Sequence, residues 1–130
     1  MMYKVSIMPE DIVGLVHMSL DLMQVEAFPI DVSTIGFWAD FEKGRCLFTM
    51  QSITRRGLLK STPMLKVSAR AVDRPAAAQT LLEGFIPAPR HPHDVIFMAK
   101  LAVEIKSTAW AVAATEDIGE CMTFPGRPQL

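Results

Sequence analysis

Apolar and polar positions recur along this chain with two different periods. From residue 94 to residue 116, DVIFMAKLAVEIKSTAWAVAATE, the period is helical. No Gly or Pro interrupts this stretch, and between Val95 and Ala114 the only charges are Lys100, Glu104 and Lys106. Lys100 and Glu104 fall on one narrow stripe with Ser107 or Thr108 and with Thr115. Phe97, Met98, Ala102, Val103, Ile105, Ala109, Trp110 and Val112 fill the rest of the circumference. A helix that apolar is normally covered on most sides. The pattern therefore predicts a central helix at 94–116 with the other elements packed around it.

Earlier in the chain, Pro9 suits the first turn of a helix, and Glu10 and Asp11 favour the positive end of its dipole. Ile12, Val16, Ser19, Leu20 and Met23 share a face, so an amphipathic helix is expected at 10–26, ending before Pro29. The stretch 33–53 supports two readings. Leu47, Met50, Thr54 and Leu58 recur at helical spacing and predict a helix at 45–60, which Gly57 would weaken by about 1 kcal/mol. Alternatively, Ile35, Phe37, Ala39 and Phe41 alternate, residues 42–45 turn, and Cys46, Phe48 and Met50 alternate again, which predicts a hairpin near 35–51. Residues 64–72 also alternate, as a short strand or extended crossing. Pro75 and Gly84 bracket a short helix at 75–83. Pro87, Pro89 and Pro92 then lead to Asp94, a natural helix cap. The fold expected is mainly α: a single small helical domain, 1–130, around a central C-terminal helix, with residues 125–130 a frayed tail. The alternative is α+β with the hairpin near 35–51.

Composition adds little to this picture, but charge order adds more. Half of the 130 residues are hydrophobic, enough for a core without disulfides, and net charge is −1. Residues 1–42 hold one basic and seven acidic residues, residues 43–90 hold nine basic and two acidic, and residues 91–130 hold three and five. An acidic first third and a basic middle either pair with each other or steer a partner. Cys46 and Cys121 form no CxxC motif, and the N-terminus shows no cleavable apolar run. Reduced, buried thiols and a cytoplasmic location are expected. The apolar stretch 94–114 reaches spanning length, but its three charges count against a membrane helix, and no membrane partner is expected.

An amphipathic helix, the segment FPIDVSTIGFW, the segment GRCLFTMQSITRRGLLKST and a late apolar helix follow one another in this chain. With Gly44-Arg45-Cys46 after Trp38, this order resembles small phage- and prophage-borne proteins of unknown function over residues 10–60 and 94–110. Residues 49–56 are bulkier than in those proteins. The resemblance implies a helical fold and a mobile-element setting, and no activity.

No GxSxG, P-loop, GxGxxG or HExxH motif is present. His91, His93 and Asp94 are the candidate metal ligands, as three protein ligands with an open position would suit catalysis. Pro92 between the histidines tends to point the rings apart, and no fourth ligand announces itself beyond His17, Cys46 and Cys121. No cofactor is therefore expected. His17 and Asp21 are spaced to meet on one helix face, and Asp40 and Glu42 would share a strand face as a carboxylate pair. Arg55, Arg56, Lys60, Lys66, Arg70 and Arg74 form the strongest basic segment. The function expected is a non-catalytic protein-binding module, in the setting the resemblance implies an inhibitor of a host system such as anti-CRISPR or other anti-defence. Its partner-binding residues would be Arg55, Arg56 and Lys60, with Trp38 nearby, facing a protein with an acidic surface. Two alternatives stand beside it: a nucleic-acid binder using 55–74, and a small metal-dependent enzyme at His91, His93 and Asp94. A homo-oligomer is compatible with all three.

Overall fold

The computed structural model describes residues 9–72 and 82–122. Its order is α1 (Pro9–Leu22), β1 (Phe28–Asp31), β2 (Thr34–Phe41), β3 (Gly44–Arg56), β4 (Ser61–Ala71), β5 (Leu82–Pro87) and α2 (Val95–Glu116). The five strands form one antiparallel sheet in the order β1-β2-β3-β4-β5. This corrects the mainly α expectation: the helix expected at 45–60 is strand β3 and the loop that follows it. Residues 35–51 form a hairpin, with Phe37 opposite Phe48 and Ala39 opposite Cys46. The sequence around Gly44-Arg45-Cys46 thus runs along a strand, where the resemblance implied a second helix.

The inward rows explain why this segment prefers the sheet. Ile35, Phe37, Ala39 and Phe41 on β2, Cys46, Phe48 and Met50 on β3, and Leu65, Val67, Ala69 and Ala71 on β4 are all buried. Period-two alternation places each row on one face, and the register brings Ile35, Met50 and Val67 side by side. Phe48 is fully buried and stacks on Phe37, with ring centroids 5.0 Å apart. Helix α1 covers this face with Ile12, Val16 and Leu20, and α2 covers it with Phe97, Leu101, Ile105, Ala109 and Val112.

Both long helices are where their periodicity puts them, with one correction each. The first stops at Leu22 because Gln24 takes a left-handed conformation, φ 62°. The second is capped by Asp94, whose carboxylate accepts from the Phe97 N–H. It is not a central post. It lies on one side of the sheet and leaves Val95, Ile96, Val103 and Trp110 exposed. After α2 the chain turns through Asp117, also left-handed, and returns along the outer edge of β2. The Lys43 N–H donates to the Ile118 carbonyl and the Met122 N–H to the Asp40 carbonyl, and Phe41 bridges Cys121. That segment takes over the edge that the four-residue β1 leaves open.

Neither Cys46 nor Cys121 forms a disulfide; Cys46 is buried and Cys121 half-buried. Among the described residues no helix is long and apolar enough to cross a membrane. The lead-in at 3–8 and the tail at 125–130 lie outside the described residues. So does the short helix expected at 75–83 as far as residue 81, and residues 82 and 83 open β5.

Candidate functional site

The helices cover one face of the sheet, so the residues alternating with the core face outward on the other. Register sets them in rows: Trp38 beside Leu47 and Arg70, Gly36 beside Thr49, Ser68 and Glu83, and Thr34 beside Gln51, Lys66 and Phe85. At their middle lies an open cavity of about 230 Å³ lined by Thr34, Leu47, Thr49, Gln51, Lys66, Ser68 and Arg70. Hydroxyl and amide groups form its floor, and a lysine and an arginine stand at its wall.

One corner is a preassembled aromatic cluster. Gly36 has no side chain, and Phe28 and Ile30 from β1 fold into the space. A Cβ there would lie 2.8 Å from Ile30 Cδ1 and 3.0 Å from the Phe48 carbonyl oxygen. The Phe28 ring stacks on Trp38 at 6.2 Å, and the Arg45 guanidinium lies over the Trp38 ring at 5.3 Å. Arg45 in turn donates from Nε to Asp40 Oδ1 at 2.9 Å. Partners from the two neighbouring strands thus engage the indole face, and Trp38 stays 45% exposed.

The remaining sequence candidates are spread over the molecule. Arg55, Arg56 and Lys60 sit around the β3–β4 turn, exposed. Trp38 is not beside them. It pairs with Leu47, eight residues earlier on β3 than Arg55, or roughly 26 Å at strand rise. His91 and His93 are exposed on the loop before α2. Asp94 is held by its cap: its carboxylate also accepts from the Arg90 N–H at 3.1 Å. The backbone N–H groups of Phe97 and then Arg90 hold this carboxyl below the usual carboxylate range. Among the described residues no three His, Cys, Asp or Glu side chains are grouped to hold a metal ion. His17 and Asp21 meet at 3.8 Å on the exposed side of α1. Asp40 is engaged by Arg45, and the Glu42 side chain lies against Gly119, so the two carboxylates do not form a site.

Sequence reasoning passed over Phe28, Arg45, Thr49, Gln51 and Ser68, and the two leucines of the β3–β4 turn. The outward row was legible in principle, since every second residue from Phe37 and Phe48 is inward and its neighbours must face away. The pairing that joins Arg70 to Trp38 across two strands carries no local signal. No family model, no curated protein and no solved structure matches the chain, so the resemblance to phage-borne proteins gains no support.

Proposed function

We propose that this chain is a non-catalytic binding module that holds an acidic partner protein against the sheet face opposite the helices. The observation that carries this reading is the gathering of Trp38, Arg45, Lys66 and Arg70 on one face around an open cavity. Tryptophan and arginine are the side chains most enriched where protein interfaces concentrate their binding energy. The aromatic cluster is already packed together in the free chain, so little side-chain entropy is lost on contact. Thr49 and Gln51, half-buried at the cavity, can satisfy a partner's polar groups as water leaves.

Single-stranded nucleic acid fits less well. A base needs an open aromatic face, and Phe28 and Arg45 already engage the Trp38 ring.

The test is photo-crosslinking from Leu47 in host extract, with the captured protein then purified and titrated. Binding is expected to weaken with added salt and to fall about a hundredfold in Trp38→Ala plus Arg70→Glu, the loss of an interface anchor. Equal affinity of that variant and the parent would remove the sheet face from the function.

A further inference from the structure

We propose that the end of the molecule carrying the β3–β4 turn docks on the surface of an anionic lipid bilayer, without spanning it. Strands β3 and β4 outrun the sheet. Beyond Ser52, which bonds to Ser33 at the β1–β2 turn, and beyond Pro63, which bonds to Ala88, they continue as a two-stranded finger. The finger closes at residues 57–60, where Gly57 N–H donates to the Lys60 carbonyl at 2.9 Å. Its tip is Leu58 and Leu59, 105% and 99% exposed. Two adjacent, wholly exposed leucines form an apolar patch that nothing among the described residues covers.

The surroundings identify what would cover it. Arg55, Arg56 and Lys60 flank the leucines, and none pairs with a carboxylate among the described residues. From Lys43 to Val72 the chain holds seven basic residues and no acidic one. Two other loops reach the same end. The β1–β2 turn brings exposed Val32, and the β5–α2 connection brings Arg90 and the first turn of α2, with exposed Val95 and Ile96. That α2 starts here follows from the segment after its other end, residues 118–122, which is bonded to residues 40–43 at the far side of the sheet.

Depth fits as well. The tip stands about three residues beyond Pro63, roughly 10 Å at strand rise, which is comparable with the ~5–10 Å that peripheral elements enter a bilayer. With the leucines at the acyl boundary, Arg90 and the α2 start would lie at headgroup level. The finger projects beyond the rest of the sheet, so its tip is reached from all sides. A fluid bilayer closes around such a wedge without needing a matching groove. Basic side chains supply the attraction to anionic lipid and the apolar tip supplies the insertion. The three charges that count against a spanning helix at 94–114 do not bear on surface docking.

The experiment is co-sedimentation of the full chain with vesicles of phosphatidylcholine alone and of phosphatidylcholine with phosphatidylglycerol. The parent is expected to partition at least about tenfold more strongly onto the anionic vesicles. Leu58→Ser plus Leu59→Ser is expected to lose about tenfold on the same vesicles. Arg55→Glu plus Arg56→Glu is expected to lose the preference for anionic lipid. Both substitutions lie at exposed positions, and unchanged circular dichroism checks that each variant folds. No sedimentation with either composition overturns the proposal, as does binding that the leucine substitutions leave unchanged. If the finger instead serves a protein, neither vesicle binds and the crosslinked partner is lost from the leucine variant.

Discussion

Asp94 and Asp31 are both carboxylates held by the backbone. Asp94 caps α2 through Phe97 and Arg90, and Asp31 accepts from the Ser33 N–H at 2.8 Å in the β1–β2 turn. The Ser33 N–H first, then the Thr34 hydroxyl, hold the Asp31 carboxyl below its usual range, as Phe97 and Arg90 do for Asp94. Both folded-state values lie below the unfolded ones. Their contribution to stability is therefore complete at neutral pH and is lost as pH falls below about 4. Asp94→Ala is expected to lower the melting temperature at pH 7 by a few degrees, and this gap should shrink toward pH 3. Thermal melts at both pH values measure it, and a gap that widens in acid contradicts the assignment. Two glycines make a second, opposed pair. Gly119 has φ +79°, and a Cβ on it would meet the Glu42 side chain; Gly14, inside α1, has nothing within 4 Å. Gly119→Ala should cost about 1 kcal/mol or more, and Gly14→Ala should add about 0.4–1 kcal/mol. Urea denaturation of the two variants reads both signs.

The element that decides the fold is β3, the middle strand of the sheet. Phe48 at its centre is fully buried between Phe37 and Ala69. Phe48→Ala should destabilise by about 3–5 kcal/mol, seen as a lower denaturation midpoint; a loss under 1 kcal/mol would mean that the core lies elsewhere. This strand was also the hardest to read. Leu47 and Ile53 on the face opposite the helices are apolar, which blurs the alternation of Cys46, Phe48 and Met50. Leu47, Met50, Thr54 and Leu58 then imitate a helical stripe. What settles the matter is pairing with residues 61–71, and distant pairing leaves no mark on a local pattern. The helices were legible because their signals are local: a proline start and an apolar face for α1, an Asp cap and an unbroken run for α2. Of the candidate site, Trp38 was singled out as a binding residue, but it lies on β2 and its neighbours Arg45 and Arg70 come from β3 and β4. Arg55 and Arg56, grouped with it in the sequence, belong to a finger at the other end of β3.

At the scale of the whole molecule, apolar surface was read as burial, and here that inference fails on α2. With one sheet to pack against, the helix buries Phe97, Leu101, Ile105 and Val112, while Val103 and Trp110 on its back remain 63% and 79% exposed. The charge segregation seen along the chain also survives folding in part. Asp40 and Arg45 pair across the β2–β3 turn, whereas Lys66 and Arg70 stay on the face opposite the helices and Arg55 and Arg56 on the finger. The sheet itself carries one further consequence. Because each strand lies beside its successor in the chain, the backbone can assemble hairpin by hairpin, closing only short loops on the way. The entropy of bringing distant segments together is then deferred to the docking of α1 and α2. Such a topology favours rapid refolding, on the order of milliseconds for a mixed α/β domain. Stopped-flow tryptophan fluorescence can follow it, since Trp38 sits in the first long hairpin and Trp110 on the last helix. Replacing each indole in turn by phenylalanine would show whether the hairpin signal precedes the helix signal or both arrive in one kinetic phase.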